Sequence, residues 1–163
     1  MAHGTRHKLL QKGARVNEFT LPRLGGGETS LSEITAKGPA LLAFFKVNCP
    51  VCQMTFPFLE RIQSAAGLPV YGISQNCAED TRDFNRHFGL TLPMLLDAES
   101  SGFAVSNTFG ISSVPTLFLV EPDGTIAQVS EGWHKGDIAQ FAARAGVDSL
   151  FKPSDSVPEA KAG

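Results

Sequence analysis

The sequence predicts one α/β domain, a central mixed β-sheet flanked by helices and preceded by an N-terminal β-hairpin extension. Three observations carry this. Two runs, Ala40 to Val47, continuously apolar up to Lys46, and Val70 to Ser74, have the composition of strands buried on both faces. Stretches with helical spacing separate the strands, as in a parallel α/β unit. A Pro122-Asp123-Gly124 turn joins two short apolar segments and closes one antiparallel hairpin. With 42% hydrophobic and 18% charged residues in 163, the chain can bury a core and is not a disordered segment. A net charge of −2 gives no electrostatic footprint for nucleic acid or an anionic membrane.

The elements follow in order. Phe19 to Leu21 and Thr29 to Leu31 flank Gly25-Gly26-Gly27 and read as a short hairpin. Gly38-Pro39 breaks the chain before the first buried strand. Pro50 to Ala66 reads as a helix, with Met54, Phe58, Ile62 and Ala65 along one side, Leu59 widening the apolar arc, and a kink expected at Pro57. Val70 to Ser74 is a strand, Ala78 to Phe88 a helix carrying Phe84 and Phe88, Leu92 to Leu96 a short apolar piece and Ser100 to Phe109 a further helix. Thr116 to Val120 and Thr125 to Ser130 form the closing hairpin, and Lys135 to Ala145 is the last helix.

This reading divides the chain into a flexible N-terminal segment (1–12), one domain (13–150) and a flexible tail (151–163) rich in proline and small polar residues. No run approaches the ~18 apolar residues of a membrane span. Basic residues near the start are followed only by Leu9-Leu10, short of the about 7–15 residues of a signal h-region. The expectation is a cytoplasmic monomer. A chain trimmed of an export signal would read the same and be periplasmic or membrane-anchored.

The chemistry concentrates at Cys49-Pro50-Val51-Cys52, where a strand ends and a helix opens. Two cysteines three apart on a first helical turn come within disulfide reach. The helix N-terminus points unpaired N–H groups and a partial positive charge at the first sulfur, which favours thiolate over thiol. Pro50 falls where its missing N–H costs nothing. Cys49 is therefore the expected attacking thiolate and Cys52 the resolving thiol. A zinc site would need two further ligands, and no metal is expected. Val114-Pro115 opens a strand and is readable as either a cis or a trans bond.

The segment Phe44 to Cys52 followed by Pro57 resembles the active-site strand and helix of thioredoxin-like proteins. Asn17 to Leu21, the three glycines and Leu31 resemble the opening hairpin of the TlpA/ResA and AhpC/TSA-type redoxin branch. Ser113 to Val120, then Pro122-Asp123-Gly124, resembles that family's cis-proline strand and hairpin. The resemblance spans about residues 13–148 and implies a thioredoxin-like fold and a thiol–disulfide oxidoreductase. Its cofactor would be its own redox-active disulfide, and its partners a protein or small-molecule disulfide and a dithiol reductant. Cys49 and Cys52 would exchange the electrons, while Pro50, Val51, Val114 and Pro115 would bind substrate, the last two by backbone pairing with an extended segment.

The departures are specific. Where thioredoxins carry a buried aspartate this chain has Ala43. Where ResA-like proteins carry a glutamate it has Thr55, and Asn48 replaces the tryptophan before the first cysteine. A peroxiredoxin-type peroxidase is the alternative activity. Aligning Cys52 with its reactive cysteine puts Phe45 at the proline and Cys49 at the hydroxyl residue of Pro-x-x-x-Thr/Ser-x-x-Cys. A non-enzymatic metal- or protein-binding module is the third reading, although Met54 and Met94 fit core positions. Two accessory candidates remain. Lys46 could act through its charge, against the plainer reading of a solvated strand end. Cys77 follows a strand whose C-terminal end shares the sheet edge with the motif.

Overall fold

In a computed structural model that describes residues 8–163, five strands form the central sheet. They are β3 (Ala40–Phe45), β4 (Val70–Ser74), β5 (Met94–Leu96), β6 (Thr116–Val120) and β7 (Ile126–Glu131), in the order β5–β4–β3–β6–β7. β3, β4 and β5 run parallel, connected by α2 (Pro50–Ser64) and α3 (Ala78–Phe88). β6 is antiparallel to β3, and β7 to β6. The sheet is mixed because only the last connection is a tight hairpin; the parallel ones need a helical crossover.

All six residues of β3 are buried. Leu41, Ala43 and Phe45 face a core shared with α2, α3 and α5 (Lys135–Arg144). Ala40, Leu42 and Phe44 face a second core built with α4 (Ala104–Phe109), α1 (Leu31–Ile34) and the hairpin of β1 (Thr20–Pro22) and β2 (Glu28–Ser30). Phenylalanine rings bridge the layers in both. Phe45 lies 4.3 Å from Phe56 and 5.0 Å from Phe84, ring centre to ring centre, and Phe44 lies 4.9 Å from Phe109. These rings join strand to helix without a polar group to satisfy.

Both sheet edges are covered. Leu24 N–H donates to Met94 O at 2.9 Å, laying the hairpin along β5. Gly13 N–H donates to Ile126 O at 2.8 Å and Ile126 N–H to Ala14 O at 2.8 Å, along β7. Unpaired edges would invite another chain.

Several elements depart from the sequence reading. Leu31 opens α1 rather than closing a strand, because Ser30 and Glu33 form a capping box. α2 runs through Pro57, and its buried side carries Phe56, Leu59 and Ile62 while Ala65 lies exposed beyond it. The helix expected from Ser100 is split, with a short 3₁₀ turn at Glu99–Ser101 before α4.

The described parts of the two ends make contacts that their composition does not announce. Residues 1–7 of the 1–12 segment lie outside the described residues, but Leu9 and Leu10 pack on the second core and Leu10 N–H donates to Phe109 O at 3.0 Å. The 151–163 segment is pinned. Arg61 holds Asp155 through two hydrogen bonds of 2.7 and 3.0 Å, Trp133 Nε1 donates to Pro158 O at 2.6 Å, and β9 (Ala160–Lys161) pairs antiparallel with β8 (Trp133–His134). Phe151 packs on Phe58 and Trp133, so apolar burial rather than composition decides its order.

Phe45→Ala should cost about 3–5 kcal/mol, because it removes the ring that ties β3 to α2 and α3. Urea unfolding measures this, and a loss below about 1 kcal/mol would refute the central role given to the ring.

Candidate functional site

β3 delivers its chain to the C-terminal edge of the sheet, where Lys46 to Asn48 turn it into α2. Cys49 is the N-cap of that helix: its backbone is extended (φ −88°, ψ 116°) and its sulfur accepts a hydrogen bond from Cys52 N–H at 3.2 Å. Sulfur takes the place of the usual capping oxygen and satisfies one of the helix's unpaired donors. Pro50 occupies the first turn and is exposed.

The turn before Cys49 is clamped from both sides. Val47 N–H donates to Asn76 Oδ1 at 2.9 Å, and Gln53 Nε2 donates to Val47 O at 3.0 Å. Sequence reasoning puts Gln75, Asn76 and Cys77 on the Cys49 side of the sheet edge without a contact for Asn76, and it missed Gln53. Their signal was faint: one polar residue just beyond β4, and one a single turn into α2.

From the other side comes the start of β6. The Val114–Pro115 bond is cis, and the Cys49 thiol donates to Val114 O at 3.4 Å. So Cys49, Pro115 and Val114, predicted as parts of one site, do meet. The expected substrate strip is not open, however. Val114 and Pro115 are both buried, and Gly163 packs against the Val114 carbonyl. Val51, expected to touch substrate, turns inward and is 6% exposed.

The two sulfurs differ sharply. Both cysteines are reduced; Cys49 is half-buried, whereas Cys52 is fully buried. Burial, and a hydrogen bond to Cys49, push the Cys52 thiol far above its ordinary range. Among the described residues no carboxylate compensates: Ala43 is a core residue, and Thr55 Oγ1 donates to Val51 O at 2.7 Å.

Lys46 is exposed and makes no side-chain hydrogen bond among the described residues, as a solvated strand end would be. Cys77 is the exposed N-cap of α3, without a side-chain cap bond; its neighbour Asn76 makes the contact with the motif. Among the described residues, no three His, Cys, Asp or Glu side chains gather to hold a metal ion. No helix among them is long and apolar enough to cross a membrane.

A five-stranded mixed sheet with a dithiol at a helix N-terminus, facing a cis-proline, defines a thioredoxin-fold thiol–disulfide oxidoreductase. Residues 13–129 match the AhpC/TSA family, and the chain belongs to it. The chain is 29% identical over 128 residues to the thiol-disulfide oxidoreductase ResA of Halalkalibacterium halodurans, covering 76% of this chain and 70% of that one. Against ResA of Bacillus subtilis the figure is 25% over 127 residues, 76% of this chain and 69% of that one. Among solved structures, the thioredoxin domain of a Bacteroides vulgatus thiol-disulfide oxidoreductase aligns with a TM-score of 0.72 at 22% identity, covering 83% and 97% of the two chains. Peroxidoxin BcpB of Mycobacterium tuberculosis aligns at 0.70 and 20%, covering 86% and 97%, so the fold alone does not separate reductase from peroxidase.

The Cys52 thiol gives a pH prediction. In the unfolded chain it ionises near pH 9.0; in the folded, reduced protein it stays protonated. The stabilisation is complete below pH 9 and is lost as pH rises above it. Reduced protein should lose roughly 1 kcal/mol more between pH 8 and 10 than a Cys52→Ala variant. Equal losses in parallel urea titrations would contradict the assignment.

Proposed function

We propose that the chain reduces disulfides in protein substrates through Cys49 and Cys52. The observation that carries this is the paired environment of the two sulfurs: Cys49 reachable at the α2 N-terminus, Cys52 sealed one turn below with its N–H on the Cys49 sulfur.

The Cys49 thiolate attacks one sulfur of a substrate disulfide. A Cys49–substrate bond forms, the substrate S–S bond breaks, and the released substrate thiolate takes a proton. Cys52, once deprotonated, attacks Cys49 Sγ; the mixed disulfide breaks and the second substrate thiolate leaves and is protonated. The substrate has gained two electrons and two protons, and Cys49–Cys52 is a disulfide. A dithiol reductant restores it by the same exchange, so the redox-active disulfide is the whole cofactor.

Protein substrates fit better than small ones. The cleft beside the motif, lined by Val47, Gln53, Phe84 and Phe88, is shallow and open at about 290 Å³, unlike an enclosed ligand pocket. The second reaction step lacks an internal base, since Thr55 and Ala43 stand where relatives of this fold place carboxylates. Solvent or substrate must then take the Cys52 proton.

A peroxidase is disfavoured by the residues at the Cys52 sulfur, where Cys49 stands in place of a positioned hydroxyl. The cytoplasmic expectation is not carried forward: it rested on a missing apolar run, and one similar structure is described as a secreted disulfide oxidoreductase of M. tuberculosis.

Cys49→Ser should abolish disulfide reduction, and Cys77→Ser should leave it unchanged. Cys52→Ser should trap a mixed disulfide through Cys49, visible by non-reducing electrophoresis and mass spectrometry. Full turnover without Cys49, or rapid peroxide consumption that depends on Cys52, would overturn the reading.

A further inference from the structure

The backbone strip beside Cys49 already has an occupant. After β7, Gly132 N–H donates to Pro115 O at 2.7 Å, and the chain continues into β8. Along β8 lies β9 in antiparallel register, Trp133 opposite Lys161 and His134 opposite Ala160, with Lys135 N–H donating to Glu159 O at 2.9 Å. This direction carries Ala162 and Gly163 past Gly132 onto the Val114–Pro115 peptide. A Cβ on Gly163 would run into the Val114 carbonyl, the same carbonyl that accepts from the Cys49 thiol. A Cβ on Gly132 would lie 2.7 Å from Lys161 O. The approach is therefore backbone to backbone, closed to any side chain at either glycine.

The anchoring is uneven. Asp155 and Pro158 are held by Arg61 and Trp133, and Val157 packs on the core. Beyond them, residues 159–163 are all exposed and carry no side-chain hydrogen bond among the described residues. Such a segment, tied by a few solvent-facing backbone bonds, opens at far less cost than the domain unfolds.

We infer that residues 159–163, paired along β8, are a self-bound strand whose Ala162–Gly163 end lies on the surface that pairs with an extended substrate segment, and that substrate must displace it. The inference rests on the disulfide-reductase reading. It also defines the ligand the strip accepts: an extended peptide with glycine over Val114 O and a small residue before it, as in Ala162-Gly163. Strand addition of this kind takes its affinity from main-chain bonds and its selectivity from the side chains that fit. A small disulfide that reaches Cys49 without pairing along the strip is not in competition.

The test compares the wild-type chain with Gly163→Val and with deletion of residues 159–163. The substrates are dithiobis-nitrobenzoate and a peptide disulfide whose cysteines are flanked by alanine and glycine. Expected is a several-fold rise in kcat/KM for the peptide disulfide in both variants, with the aromatic disulfide unchanged. Its constancy also certifies that the dithiol is intact. A synthetic Glu159–Gly163 peptide added to the deletion variant should inhibit peptide reduction competitively. Unchanged or reduced peptide rates, or no inhibition by the synthetic peptide, would overturn the inference. Failure of the wild-type chain to reduce either disulfide would instead overturn the reductase reading itself.

Discussion

The site depends on one register. β6 pairs antiparallel with β3 so that Phe44 stands opposite Thr116. Five residues beyond Phe44 comes Cys49, and one residue before Thr116 comes Pro115. Two segments more than sixty residues apart in sequence thus meet at one sheet edge, close enough for the Cys49 thiol to reach Val114 O. A slip of one residue would turn Leu41, Ala43 and Phe45 into the wrong core and part the sulfur from the proline loop. The two apolar faces of β3 therefore set the chemistry as well as the stability.

That arrangement produces two unequal sulfurs from nearly adjacent residues. Cys49 caps the helix and keeps part of its surface in solvent. Cys52 is one turn deeper, among Phe and Leu side chains, and among the described residues no carboxylate accompanies it. The reduced pair is consequently held in a protonated inner and an approachable outer form. The same edge of the sheet receives residues 162–163, so access to the outer sulfur and pairing along its flank are governed by different parts of the chain.

The sequence revealed what is local and periodic. The apolar runs marked β3 and β4, the Asp-Gly turn marked the β6–β7 hairpin, and the spacing of Cys49 and Cys52 marked the dithiol. It concealed what depends on contacts between distant residues. The 151–163 segment has the composition of a loose end, yet Phe151 finds Phe58 and Asp155 finds Arg61. β8 and β9 are two residues each, too short for any pattern, and exist only because they find one another. Val51 looked surface-facing beside an exposed motif, but its place on the first turn of α2 directs it into the core. Asn76 and Gln53 act through single hydrogen bonds, which leave no periodic trace. The capping box of Ser30 and Glu33 was legible by its spacing and was hidden by the glycine-rich hairpin before it.

Trp133 is the chain's single tryptophan, fully buried between Phe58 and Phe151, with its indole N–H on Pro158 O. The other large aromatic residues are phenylalanines and one tyrosine. The molecule therefore carries one indole chromophore, set at the seam where the 151–163 segment joins the domain. Its emission reads out that seam alone, and a shift in its wavelength separates release of the segment from melting of the sheet without any added label.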